Sequence, residues 1–435
     1  MTHLKTDRPT RLFRSTRLRR PAPGRPDGEG PPARSARVPA PTPAPAPFPD
    51  PAAIPAPDPA GTRAARRRDR RVYTRSHPVL FALLAAARRR PVVRLGSTVL
   101  VHGTEAYRET LTQVPLDRTA AGTTGGAARQ LSGAGTLFDQ DGTGHRQARR
   151  SVAGDLGATG TERLRPAWRA VLDRRLAPLA AGRPVDLAEV VRELAGTTVR
   201  ALLALEPATD PHALSEAAAR AAATAVRDHL PGPRRPGTAR AAATAAARLE
   251  ALLTAGDGDP DPSRTAGDAS LRAMLAVAAV STTVAALPRA AAWCADAGLW
   301  EQAADEALRP ALVTELLRVT AASPLLPRVA AADATAAGCP VRAGDRLLLV
   351  ARHAARAHSD PPDARHPAPP SVAQLVFGAG PHACPGARVA RAQLDDLLAA
   401  LAPYRPVVVR ARVDRAAALP GWRTLVVRAT AGEVR

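Results

Sequence analysis

Lysine is almost absent from this chain: Lys5 stands alone among 61 basic residues, and every other one is arginine. With alanine, glycine and proline also abundant, so lopsided a choice points to GC-rich coding rather than to lysine chemistry. Aromatic residues make up only 3%, which leaves the basic charge without the interleaved stacking platforms of a nucleic-acid groove. Three cysteines, Cys294, Cys339 and Cys384, cannot make a disulfide framework for 435 residues. No C-x-x-C pair occurs, which removes a thiolate zinc site. No run of about 18 apolar residues is present to span a membrane. The stretch from Pro78 to Ala87 is about half that length and runs into three arginines. The pair Arg19 and Arg20 is followed by no apolar segment, so a secretory signal fails as well. No G-x-G-x-x-G follows a strand-like run, so no dinucleotide-binding unit is expected. The expectation is a cytoplasmic monomer, with no membrane and no nucleic acid among its partners.

Apolar residues at 45% and charged residues at 23% are ordinary globular usage, and the length suits one large domain. The net charge of +22 is uneven, because residues 1–72 hold 16 basic against 6 acidic side chains. The same segment carries 16 of the 44 prolines, in runs such as PAPTPAPAPFPD. Proline removes backbone donors and favours extended chain, so 1–72 reads as a disordered tail and 73–435 as the folded domain.

From His77 onward, PVLFALLAAARRR reads as a short helix, VVRL and TVLVH as two short strands, and Thr104 as a helix start. A Gly/Thr-rich stretch (119–144) precedes a mostly helical reach to about residue 320. Loops are expected at LPGPRRPG (230–237) and GDGDPDPSRTAGD (256–268), and strands at VVVRARV and TLVVRAT near the end. The fold class is predominantly α with small β-sheets.

The chemistry is concentrated in FGAGPHACPGARVARAQL, where Phe377, Gly380, His382, Cys384 and Gly386 form F-x-x-G-x-H-x-C-x-G ahead of a helix. Glycines permit turns that a Cβ would resist and let backbone N–H groups approach one sulfur. Those donors, and the positive end of the following helix, favour a thiolate at Cys384. His382 can reach an anionic group beside the bound partner. With no second cysteine or base beside it in sequence, the sulfur suits an iron ligand better than a hydrolytic nucleophile.

This segment resembles the haem-binding loop of the cytochrome P-450 family, the haem-thiolate monooxygenases, at all five positions. Three further segments fit that resemblance in order and spacing. ELLR places Glu315 and Arg318 at i, i+3, like the family's buttress of the proximal haem side, with Arg365 a loose candidate for a third member. GHRQARR puts His145 and Arg149 on one helix face, which the resemblance makes donors to a haem propionate, and Arg328 matches a further propionate arginine. The resemblance spans about 77 to 435 and implies a single large domain around a buried haem b (iron-protoporphyrin IX). It also implies a small-molecule substrate from secondary metabolism, dioxygen, and electrons from a separate ferredoxin and ferredoxin reductase. The basic residues Arg388 and Arg391 suit an acidic donor.

Two departures stand out. In LAVAAVSTTVAAL, Thr282 keeps the family's hydroxyl that orients oxygen and its waters, but Ser281 replaces the usual acid and Ala279 the usual glycine. Serine passes a hydrogen bond but holds no charge at neutral pH, so Thr282 and Ser281 need water or substrate to complete a proton route. The acid expected two residues after Arg391 is Gln393. A peroxygenase driven by hydrogen peroxide, and a non-catalytic scaffold that activates a partner, are the alternative readings. The intact Cys384, Glu315, Arg318, His145 and Arg149 speak against the scaffold.

Overall fold

Asp58 opens the folded chain, its carboxylate accepting the N–H groups of Ala60 and Gly61, while Pro59 sits where no N–H is needed. The helix so capped is α1 (Pro59–Ser76), and with it the computed structural model describes residues 56–229, 237–255 and 266–430. After α2 (Pro78–Ala87) come β1 (Val92–Leu95), β2 (Thr98–Val101), α3 (Thr104–Thr112), β3 (Leu116–Asp117) and α4 (Thr124–Ser132). The helical middle comprises α5 (Gly142–Leu156), α6 (Ala158–Leu176), short β4 (Val185–Asp186), α7 (Leu187–Leu202), α8 (Pro211–His229), α9 (Thr238–Thr254) and α10 (Ala266–Ala297). Then follow α11 (Trp300–Ala304), α12 (Arg309–Thr320), β5 (Leu326–Ala330), β6 (Ala334–Ala336), β7 (Cys339–Val341) and β8 (Arg346–Leu349). The last part holds α13 (Ala351–Ala354), α14 (Pro370–Ala373), α15 (Ala387–Leu401), β9 (Val407–Asp414) and β10 (Gly421–Arg428).

Five strands form one sheet in the order β1-β2-β8-β5-β3, in which only the β2–β8 pairing is parallel. A three-stranded sheet, β4-β10-β9, closes the C-terminal side, and β6 and β7 pair by themselves. The helix α10 is long and apolar enough to cross a membrane by length and composition, with a mean hydropathy of 1.6 in its best window. Its neighbours explain that character: it runs through the protein against α1, α7, α8, α12 and β10. Trp293 and Leu287 of α10 share one core with Trp168, Leu194, Leu312 and Leu394. Fully burying a leucine of this kind stabilises by about 1.5–3 kcal/mol.

The expected strands and the helix from Thr104 fall where the sequence placed them, but the folded domain begins earlier than residue 73. Residues 59–72 lie in α1, and Ala65, Asp69 and Val72 are buried against α10 and its neighbours. The proline-rich reading fails there because the prolines stop at Pro59, a residue a helix accepts in its first turn. Residues 1–55 of the expected tail lie outside the described residues, as do 230–236 and 256–265 of the expected loops. Residues 266–268 belong to α10, and α4 forms inside the Gly/Thr-rich stretch, where Thr123 caps it by accepting from Gly126 N–H.

One buried polar cluster lies where β2 meets α13. His102 and His353 face each other through Nδ1 atoms 2.9 Å apart, and His358 lies edge-on to His353. Burial, together with neighbouring histidines, pulls His102 down to about 4 and His353 to about 3. The folded protein thus keeps both rings neutral while the unfolded chain protonates them below about pH 6.5. The stability they contribute is intact above that pH and is lost as pH falls toward 4, with a slope of up to about 1.4 kcal/mol per pH unit for each ring. Urea midpoints measured from pH 7 to pH 4 should show this slope, and replacing both rings by asparagine should flatten it.

Candidate functional site

The cysteine loop is built by backbone geometry. A 3-10 turn (Gln374–Phe377) ends at Gly378, whose φ of +80° is the left-handed region, and Gly380 follows at +69°. A Cβ on Gly380 would also stand 3.1 Å from the Thr112 methyl, so this position resists any side chain. The Cys384 N–H donates to the Phe377 carbonyl at 2.8 Å and closes the loop. Gly386 differs from the sequence expectation. Its φ is an ordinary −83°, and a Cβ there would lie 3.9 Å from the sulfur, so what it supplies is an N–H and room. That N–H points at Cys384 Sγ and α15 starts at the next residue, as expected.

The sulfur is open to solvent yet flanked by protein on most sides, as a group on a cavity wall is. Burial pushes the thiol up, while the Gly386 N–H, Arg149 and Arg391 pull it down without prevailing.

Two of the expected donors meet next to the cysteine loop. His145, on α5 and buried, stacks on His382 with ring centroids 3.9 Å apart, and His382 Nε2 lies 3.4 Å from Asp141. Burial and then Arg118 hold His382 down at about 4, and burial and Arg149 lower His145. Arg149 takes a different part from the one expected: its guanidinium donates to the Ala383 carbonyl at 2.6 Å and holds the cysteine loop. Arg328, on β5, donates to Thr124 Oγ1 at 3.0 Å, and burial lowers it to about 10. Its Nε has no partner, nor has the Nε of Arg118 or the hydroxyl of Tyr107. Arg118 was not singled out from the sequence, since one arginine among so many carries no signal there.

Arg118 and the two stacked imidazoles thus share one carboxylate, Asp141, while Arg328 lies beside Arg118, and each guanidinium keeps a buried, unpartnered N–H. Unpaired buried donors are costly, and a group bearing two carboxylates would satisfy them. The residues fit haem b, with Cys384 for the iron and Arg118, Arg328, His145 and His382 for the propionates.

Glu315 and Arg318 pair at 2.9 and 2.5 Å, both buried, and they pin the chain ahead of the loop. Arg318 donates to the carbonyls of Ala355 and Asp360, and Glu315 accepts the Ala368 N–H. Arg365 pairs with Asp363, so its guanidinium is engaged within its own turn. A cleft lined by Glu315, Arg318, Arg356 and Asp360 opens beside this pair, and Cys384 is not on its wall. Phe377 carries Arg391 over its ring at 4.7 Å, which takes Arg391 off the exposed surface and leaves Arg388 there.

Along α10, Leu271, Leu275, Ala278 and Thr282 recur at helical spacing and are half-buried, as are most residues of the helix from 271 to 284. Thr282 Oγ1 donates to the Ala278 carbonyl at 2.8 Å, and the Ser281 hydroxyl is buried without a partner. Thr283 donates to Gln393 Oε1 at 3.3 Å, and Gln393 Nε2 donates to Thr198 at 2.9 Å. The residue in place of the second missing acid therefore ties α15, the helix of the cysteine, to α10 one position from Thr282.

Residues 306–402, which include Glu315, Arg318 and Cys384, match the family Cytochrome P450. No curated protein matches the sequence. Solved structures of the same fold include ligand-free CYP164A2 of Mycobacterium smegmatis, with a TM-score of 0.66 and 23% identity over 84% of this chain and 99% of that one. CYP109E1 of Bacillus megaterium, solved with testosterone, gives 0.66 and 19% over 82% and 99%. Open P450 EryK of S. erythraea gives 0.64 and 24% over 81% and 96%.

Proposed function

Taken as a haem-b monooxygenase of the cytochrome P450 type, the chain, we propose, oxidises a small organic molecule of secondary metabolism with electrons from a separate ferredoxin and its reductase. The observation that carries this reading is the set of unpaired buried donors, Arg118 and Arg328, beside the His145–His382 stack that lies next to the cysteine loop. Bound haem supplies the activation of dioxygen, and the thiolate of Cys384 favours cleavage of the O–O bond. Arg118, Arg328, His145 and His382 hold its carboxylates, Arg149 holds the loop, and Glu315 with Arg318 holds the segment before it. Exposed Arg388 would meet an acidic donor.

Thr282 donates its hydroxyl hydrogen to the Ala278 carbonyl, so its oxygen lone pairs are free to accept a hydrogen bond from water on this half-buried part of α10. Ser281 extends that chain at most, being neutral. Thr282→Ala should therefore divert most reducing equivalents to peroxide while haem content stays unchanged. Ser281→Ala should do far less, and by removing a partnerless hydroxyl it should leave stability equal or higher. Product formed per NAD(P)H consumed, with peroxide counted in parallel, decides between them. Full coupling in Thr282→Ala would make this threonine a core hydroxyl.

Serine at position 281 also favours a second reading, because peroxide brings its own protons and both oxygens. Turnover with hydrogen peroxide and no reductase would support the peroxygenase, and dependence on a ferredoxin chain would exclude it.

A further inference from the structure

Among the described residues, three of the six large apolar side chains left exposed fall between positions 79 and 95: Val79 at 71%, Leu83 at 62% and Leu95 at 59%. The helix α2 explains two of them. Leu80, Leu84 and Ala87 recur at helical spacing and pack on Val93, Leu100 and Val350 of the sheet below. Val79, Ala82, Leu83 and Ala86 therefore form the outer face, and all four are exposed. Leu95 stands two residues after Val93 on β1, so it emerges on the face of the sheet that α2 covers. Between them runs Arg88, Arg89 and Arg90, each exposed, and exposed Arg75 precedes α2 in the last turn of α1.

Negative charge is scarce on this surface, and the carboxylate that meets β1, Asp345, is buried and paired with Arg94. From Pro59 to Thr104 the sequence holds one carboxylate, Asp69, which is buried and committed to Arg289 and Arg352. A protruding aliphatic face flanked by arginines, with few acids to repel phosphate, has the chemistry of a surface that rests on anionic lipid. Nucleic acid would satisfy the arginines but leave the aliphatic tip facing water, with no aromatic ring to stack on a base. We propose that the outer face of α2, with Arg88–Arg90 and Leu95, docks the protein on an anionic phospholipid membrane. The mode is peripheral, with side chains entering the headgroup region and no spanning segment.

The experiment is co-sedimentation of the full-length, haem-loaded protein with vesicles of phosphatidylcholine alone or mixed with phosphatidylglycerol, at low and high salt. Binding to the mixed vesicles that weakens with salt, and little binding to phosphatidylcholine alone, is the expected result. The double variant Val79→Ser, Leu83→Ser keeps the charge and should bind at least about tenfold more weakly. Replacing Arg88, Arg89 and Arg90 by serine should weaken binding at least as much and flatten its salt dependence. Because these side chains are exposed, haem content should not change, and Leu95→Ser gives the same readout should a helix variant lose haem. No binding to mixed vesicles at low salt would overturn the proposal. So would equal binding by all variants, which would place the contact on the arginines of residues 1–55, or tighter binding to single-stranded RNA than to vesicles.

Discussion

Cys384→Ala should remove the red-shifted Soret band expected of thiolate ligation in the reduced, carbon-monoxide-treated protein, and most of the haem with it. The effect should be all-or-none, because neither other cysteine is placed to substitute. Cys294 is buried within the core on α10, where burial pushes its thiol up, and Cys339 lies on β7 beside the Pro340 carbonyl. Cys294→Ala and Cys339→Ala should therefore keep the band. Cys294→Ser is the poorer control, since it places a hydroxyl in an apolar core. A wild-type spectrum of imidazole-ligated haem, or no haem at all, would overturn the assignment of Cys384. Burial pushes the Cys384 thiol up, and the Gly386 N–H and Arg149 would favour the charged sulfur that a bound iron requires.

What the sequence disclosed follows from how chemistry is encoded. The loop from Phe377 to Gly386 and the helix behind it are local, so spacing alone placed them. Glu315 and Arg318 are also local, and the structure adds that they reach the backbone from Ala355 to Ala368. Arg149 could be placed on the face of His145 by helical spacing, but spacing does not say which oxygen a guanidinium meets. It meets the Ala383 carbonyl. Arg118 and Tyr107 were illegible because their significance lies in lacking partners, which only the packed chain reveals. The start of the fold was misplaced for the same reason. The RRRDRR run looks like solvated charge in sequence, whereas α1 turns its one acid inward and most of its arginines out.

That inward acid makes the sharpest stability prediction. Asp69 is buried and accepts from Arg289 Nε at 2.7 Å and from Arg352 at 3.1 Å, and it is the one carboxylate paired with either among the described residues. Arg289 also reaches the Tyr73 hydroxyl and the Pro420 carbonyl, and both guanidiniums lie over the Tyr73 ring at 4.6 and 4.2 Å. Tyr73 in turn donates to the Thr320 carbonyl at the end of α12. One side chain of α1 thus neutralises charge that binds α10, α12, α13 and the turn before β10. Asp69→Asn would leave two arginines buried without an anion, a change that costs about 3–5 kcal/mol in sites of this kind. Denaturant midpoints should fall accordingly, and deleting residues 1–72 should do at least as much, because Val72 and Ala65 leave the core as well. Deleting residues 1–55 removes none of these contacts and should leave the midpoint near that of the full chain. Adding Arg289→Met to Asp69→Asn should recover part of the loss, since it removes the charge that was left bare. An unchanged midpoint in Asp69→Asn would mean that water reaches Arg289 and that the network does not hold α1 in place.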